Sequence, residues 1–236
     1  MKRKSVKSAK DLKPIDEISS LWDPLTQEER IYLRENTTYC TFRKNELIYS
    51  VGEEPVHLIY LISGMVKIYK DGVGERSQIV RMAKPGDHFA YRAYLANEMY
   101  HNTAKALESS SAYLVPVGVL GQIIQSNSKM SWAFIRMLAK RLGVADTRLV
   151  TLSQKHLRGR LAEILVSLRD NYGTESDGIT LHCRLTRQDM AFLSNMTTSN
   201  VIRTLAVFSS ERIIEVHGRT VRILDEDKLR SVSKLG

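Results

Sequence analysis

Four small polar residues, Thr197, Thr198, Ser199 and Asn200, stand just ahead of Arg203. In the first turn of a helix such hydroxyl and amide groups can bond base edges and phosphates, and the helix dipole there favours anions. Arg203, one turn further on, can present its two-pronged guanidinium to guanine or grip a phosphate. Arg184, Arg187, Arg203, Arg212, Arg219 and Arg222 face only Asp189, Glu211 and Glu215 across the surrounding stretch. Each arginine alone also has a plainer reading as a solvated or salt-bridged surface residue, which weighs less for Arg203 than for Arg212 and Arg222. The constellation points to a polyanion.

These groups need a scaffold. Thr186 can cap a short helix with Asp189 at the capping-box position, Ala191 allows two helices to cross closely, and Ser194-Asn195-Met196 reads as a turn. A second helix from Thr197 or Thr198 to about Phe208 completes a helix-turn-helix. Two alternating runs around His217-Gly218 follow within Arg212–Leu224, and a strand pair in that place makes a winged helix, with His217 and Arg219 at the wing.

Upstream, the texture between Thr38 and Pro116 is different. Tyr39–Phe42, Glu46–Tyr49, Leu58–Ile62, Met65–Tyr69, Gln78–Met82 and Thr103–Leu107 are expected strands, divided by turn chemistry such as Ser63-Gly64 and Lys84-Pro-Gly-Asp87. Many short strands without intervening helices predict an antiparallel barrel or jelly roll. Ahead of it, Thr26-Gln-Glu-Glu marks a helix start in a small helical lead-in. Behind it come a short helix over Val117–Gln125, a long one over Ser128–Lys155 and an amphipathic one over Leu157–Tyr172. In the long helix Ile135, Leu138, Leu142, Ala145, Leu149 and Leu152 form a heptad seam. A neighbouring set, Met130, Phe134, Met137 and Val144, can pack on the roll while the seam meets a twin helix, so a homodimer is expected. The fold class is α+β, in four parts: a basic flexible tail over 1–14, a sensor β-roll over 15–127, a dimerisation helix over 128–156 and a winged helix-turn-helix over 157–236.

Composition narrows the function. With 236 residues, 35 Lys and Arg against 26 Asp and Glu, and a net charge of +9, the chain suits two domains and an anionic partner, double-stranded DNA first. Two distant cysteines, Cys40 and Cys183, exclude a multi-bridge framework or a CxxC metal site and fit a reducing cytoplasm. The basic start is followed by no apolar stretch of leader length, and neither secretion nor a membrane partner is expected. No P-loop, GxSxG, HExxH or His-x-His pair appears, so no enzyme is expected. The competing non-enzymatic reading is a cyclic-nucleotide-binding-like module that regulates a protein partner without DNA; it has no use for the Thr197–Arg203 helix and its wing.

The order of parts resembles the Crp/Fnr family of bacterial transcription regulators. The resemblance rests on Ile59-Tyr-Leu-Ile-Ser-Gly-Met-Val-Lys-Ile-Tyr69, Lys84-Pro-Gly-Asp87, Thr103-Ala-Lys-Ala-Leu-Glu108 and Leu185-Thr-Arg-Gln-Asp-Met-Ala191, and covers the chain from about Leu21 onward. It implies a homodimer on a palindromic site, a roll that senses a signal, RNA polymerase as protein partner, and Thr186, Arg187 and Gln188 as phosphate contacts. It also implies an effector pocket around Gly86, Asp87, His88, Asn102, Thr103 and Ala104.

The departures are informative. In cyclic-AMP-binding members an acid serves the ribose, an Arg-Ser or Arg-Thr pair the phosphate, and a helix threonine the adenine. Here the acid is Asp87, Asn102 stands where the arginine belongs, and Ala145 replaces the threonine. A buried phosphate without its charge partner loses several kcal/mol, roughly, which argues against cyclic AMP. No cysteine precedes Cys40, which argues against an iron–sulfur cluster. Haem or a redox-linked ligand stays open, with His88, His101 and Met99 as candidate axial ligands. On the recognition helix Arg203 matches the family's arginine, but Ser199 stands where a glutamate is typical, so the base preference should differ.

Overall fold

The computed structural model describes residues 13–72, 74 and 76–236. The expected basic tail over 1–14 lies almost wholly outside them. The chain divides into two compact units, one holding the described residues up to Asp71 with Val80–Arg141, the other holding Gly72–Ile79 with Leu142–Gly236.

In the first unit two short helices, α1 (Ile15–Ile18) and α2 (Gln27–Asn36), lead into the strands. Thr26 caps α2 through a capping box with Glu29, as its sequence predicts. Asp16, buried on α1, takes both Arg30 at 3.2 Å and Arg34 at 2.7 Å and ties the two helices together. The strands are β1 (Thr38–Phe42), β2 (Leu47–Tyr49), β3 (His57–Ser63), β4 (Val66–Asp71), β5 (Ser77–Ala83) and β6 (His88–Phe89). After α3 (Tyr91–Leu95) come β7 (Thr103–Ala106) and β8 (Ser110–Pro116), then α4 (Val117–Ser126) and the long α5 (Ser128–Gln154), whose residues from Leu142 onward belong to the second unit. They form two antiparallel four-stranded sheets, ordered β1-β8-β3-β6 and β2-β7-β4-β5. All six expected strands are present; β6, α3 and β8 are additions.

Each face of the first sheet has its own core. Ile59, Leu61, Phe89 and Ala112 point into the roll, against Ile48, Val66, Ile68, Ala104 and Ala106 of the second sheet. Leu58, Tyr60, Tyr113 and Val115 point the other way, onto Trp22, Leu33, Leu120, Ile123, Met130 and Phe134 of the helices. Because both faces are covered, β3 reads as a continuous apolar run rather than as alternation. The Ser63-Gly64 turn needs its glycine: Gly64 has φ +84°, and a Cβ there would lie 2.7 Å from the Ser109 carbonyl.

One face of helix α5 packs as expected, joined by Leu138 of the seam. Met130, Phe134 and Met137 pack against the first unit's helix-side core, but Val144 is 70 % exposed, because the packed stripe ends at Met137 and Leu138.

In the second unit α6 (Leu157–Tyr172), α7 (Arg187–Ser194) and α8 (Thr198–Ser210) are followed by β9 (Ile214–His217), β10 (Thr220–Ile223) and α9 (Glu226–Leu235). The expected β9–β10 hairpin is present and turns at Gly218-Arg219, with His217 paired to Thr220, while α9 goes beyond the sequence reading. Residues 179–181 add a further edge, since Leu181 N–H bonds the Val221 carbonyl at 2.9 Å and Ile223 N–H the Ile179 carbonyl at 2.8 Å.

Candidate functional site

The helix-turn-helix is built locally before it is packed. Thr186 Oγ1 accepts the Asp189 N–H at 3.0 Å and Asp189 returns a bond to the Thr186 backbone, starting α7. The helix stops at Asn195, whose φ of +51° lies in the left-handed region that Asn tolerates better than most residues. Arg160 of α6 donates to the Asn195 carbonyl at 3.0 Å and fixes this turn. Thr197 then caps α8, accepting the Asn200 N–H at 3.2 Å.

Packing decides which side of α8 faces out. Val201, Leu205 and Phe208 are buried at helical spacing and anchor it. Arg158 of α6 grips Glu211 through both guanidinium nitrogens and lies 5.0 Å from the centre of the Phe208 ring. The exposed side presents Thr198, Ser199, Ile202, Arg203 and Ala206, with exposed Thr197 at the cap. Asn200 is half-buried and its side-chain oxygen accepts from the Arg203 guanidinium, so the two groups are oriented together. Ile202, which the sequence reading passed over, is 53 % exposed beside Arg203. It offers the apolar contact that a thymine methyl takes. The available signal was an isoleucine outside the Val201–Leu205–Phe208 stripe.

The wing closes this surface. His217 and Arg219 are exposed on either side of Gly218. The hydrogen bond from His217, then the one from Arg222, holds the Glu215 carboxyl below its ordinary range. Arg187 donates to the Gly218 carbonyl at 2.7 Å, so it ties the start of α7 to the wing as well as standing at the expected phosphate-binding position. Gln188 is exposed beside it.

The roll treats its expected site residues differently. Lys84–Asp87 forms a turn with Gly86 at φ +93° and the Asp87 N–H on the Lys84 carbonyl at 3.0 Å. The Asp87 carboxylate accepts the Lys84 N–H at 3.0 Å and pairs with Arg81 at 3.1 Å. Asn102 accepts the Tyr49 hydroxyl at 3.0 Å, and Thr103 Oγ1 accepts the Val51 N–H at 3.2 Å. Tyr49 lies stacked on Tyr100 with ring centres 3.9 Å apart, inside the apolar core that also holds Ala104. Burial pushes the Tyr100 hydroxyl up to about 12, in keeping with a neutral interior. The acid and the amide are thus engaged within the roll, and Asn102 supplies no cation for a phosphate.

His88 belongs to the other face of the sheet. Its ring sits 4.7 Å from that of Tyr60 and 5.9 Å from that of Trp22, with Nε2 3.2 Å from Ser19 Oγ. Burial, then the Arg141 charge, lowers its pKa to about 3. The expectation that it lines a ligand pocket is therefore corrected: β6 alternates, and Phe89 takes the inward position. Of the other candidate haem ligands, His101 pairs with Glu98 at 3.1 Å and Met99 is exposed. Among the described residues no group of three or more His, Cys, Asp or Glu could hold a metal ion. No described helix is long and apolar enough to cross a membrane.

Along the seam of α5, Ile135, Leu142, Ala145 and Leu149 are exposed, Leu142 by 64 % and Leu149 by 68 %, while Leu138 and Leu152 are half-buried.

Comparison with known proteins agrees with this architecture. The cyclic nucleotide-binding domain family matches residues 39–127 and the Crp-like helix-turn-helix domain family matches residues 159–232. The CRP-like cAMP-activated global transcriptional regulator of Mycobacterium tuberculosis is 25 % identical over 189 residues, 80 % of this chain and 84 % of that protein. Electron transport regulator A of Shewanella oneidensis is 24 % identical over 188 residues, 79 % of this chain and 75 % of that protein. The solved structure of FixK2 from Bradyrhizobium japonicum superposes with a TM-score of 0.75 at 22 % identity, covering 83 % of this chain and 96 % of that one. With a cyclic nucleotide-binding-type roll and a Crp-like helix-turn-helix in one chain, this protein belongs to the Crp/Fnr family of transcription regulators.

Proposed function

We propose that the chain works as a homodimer that reads a two-fold symmetric duplex through α8, with a sensor roll over 15–127, a pairing helix over 128–156 and a winged helix over 157–236. The observation that carries this reading is the outward row of α8: Thr198, Ser199, Ile202 and Arg203 are exposed at the N-terminal end of a helix whose opposite side is anchored. Thr186, Gln188, Thr197, Arg219 and His217 serve phosphates and the groove edge, while Arg203, with Asn200 beside it, reads a base. Arg187 adds a phosphate contact and steadies the wing.

Pairing follows from the exposed seam. An α5 of 27 residues is about 40 Å long, so antiparallel partners would put the two reading helices at opposite ends. A parallel pair keeps both at one end, where half-sites about 34 Å apart can be reached. Cyclic AMP is not the expected effector, because Asn102 stands where its phosphate would need an arginine. A regulator of this kind meets RNA polymerase in the cytoplasm.

The test is recovery of bound duplexes from fragmented genomic DNA by purified protein, at two salt concentrations and with no effector added. A symmetric motif with steep salt dependence is expected. No enrichment, with or without haem and reductant, would overturn the assignment and favour a module acting on a protein partner.

A further inference from the structure

Behind the Lys84–Asp87 turn, two arginines converge on one backbone oxygen. Arg81 Nη1 donates to the His88 carbonyl at 3.1 Å, and Arg141 Nη2, from α5, donates to the same oxygen at 2.9 Å. The acid beside this pair is Asp87, 3.1 Å from Arg81. Arg141 also lies over the Tyr91 ring, 5.9 Å from its centre, while its Nε is buried with no hydrogen-bond partner among the described residues. Two guanidinium groups thus face one carboxylate, and such a site lacks a counter-charge.

The heptad shows where one would come from. With Ile135, Leu142 and Leu149 at the first core position and Leu138, Ala145 and Leu152 at the second, Arg141 falls just before a core residue and Asp146 just after one. In a parallel two-stranded coil these flanking positions meet across the interface, each residue facing the one five places further along the other helix. That residue is Asp146, the only acid in α5, and it is exposed in the single chain. In an antiparallel pair each flanking position meets its own type across the interface, so Arg141 and Asp146 would not face one another.

We infer that Arg141 joins each roll to the other copy: its guanidinium, held on the His88 carbonyl, takes Asp146 of the partner subunit as its counter-charge, so the cluster behind the turn is complete only in the dimer. The inference rests on the parallel homodimer proposed above and adds the residue pair that orients it. It also gives the roll a lever on the interface, because any change that pulls Arg141 from the His88 carbonyl alters the pair.

The experiment is a double-mutant cycle on dimer dissociation, read by sedimentation of the full chain with Asp146→Asn, Arg141→Gln and the double variant. Asp146 is exposed, so its replacement leaves the single chain folded, and circular dichroism checks that it does. Asp146→Asn should weaken the dimer about fivefold and Asp146→Lys by more than about tenfold, while the double variant should be no weaker than Arg141→Gln alone. A dimer unaffected by either Asp146 change, or strictly additive effects, would overturn the inference and leave the homodimer standing. A wild-type chain that stays monomeric at every concentration would overturn the homodimer itself.

Discussion

Asp87, Asn102 and Thr103 of the roll each bond a neighbour in their own unit, to Arg81 and the Lys84 N–H, to the Tyr49 hydroxyl and to the Val51 N–H. In the winged helix the equivalent small polar groups Thr198 and Ser199 are exposed, and Arg203 is steadied by Asn200 yet still faces outward. Both regions match their families over most of their lengths. In the roll the expected binding groups are engaged within their own unit, and in the winged helix they stay on the surface. A preserved fold therefore carries a preserved function only where the polar groups remain available.

The comparison can be broken most severely at the seam. Leu142→Lys should convert the protein to monomers and cut affinity for a full palindromic site by several kcal/mol, roughly, since each half-site then binds alone. A monomer that holds the full site as tightly as wild type would contradict the arrangement. Acid should act next, in the mildly acidic range through His88 of the roll. Buried His88 stays neutral down to about pH 3, whereas in the unfolded chain a histidine titrates near 6.5. Its stabilising contribution is complete above about pH 6.5 and falls by about 1.4 kcal/mol per pH unit below it. Urea titrations between pH 6.5 and 5 should show that slope, and His88→Gln should flatten it.

On the surface side, Arg203→Ala should cost roughly 1–3 kcal/mol of DNA affinity and loosen selection at one position of each half-site. Selected-site sequencing of the variant checks it, and an unchanged motif would remove Arg203 from the reading helix's work. The smallest effect is expected inside the roll: Tyr49→Phe deletes the hydroxyl held by Asn102 and should lower stability by about 1 kcal/mol without changing DNA affinity at all. A matching loss in DNA binding would show that the roll interior speaks to the reading helix.

How far the sequence could be read depended on how local the determinants were. Leu157–Tyr172, the capping box at Thr186 and the His217-Gly218 hairpin were legible because short-range periodicity and turn chemistry fix them. Strand β8 was not: it opens on Ser110-Ser111, ends at Pro116 and is buried on both faces, so it shows neither alternation nor a β-rich start. Yet it lies between β1 and β3 at the centre of its sheet. Ala90, with φ +70° ahead of α3, gives no sequence signal for a helix start either.

The sequence by itself determined the order of parts, the family they belong to, the heptad on α5 and the polar opening of α8 ahead of Arg203, all of which rest on residues close together in the chain. Only the tertiary structure decided that His88 packs against Trp22 rather than lining the roll, that Tyr49 and Tyr100 occupy the interior beside Asn102, that Arg187 holds the wing, and that Arg141 reaches the His88 carbonyl. Those outcomes depend on which face of a strand is covered and by what, and partners up to 69 residues apart are invisible to any local pattern.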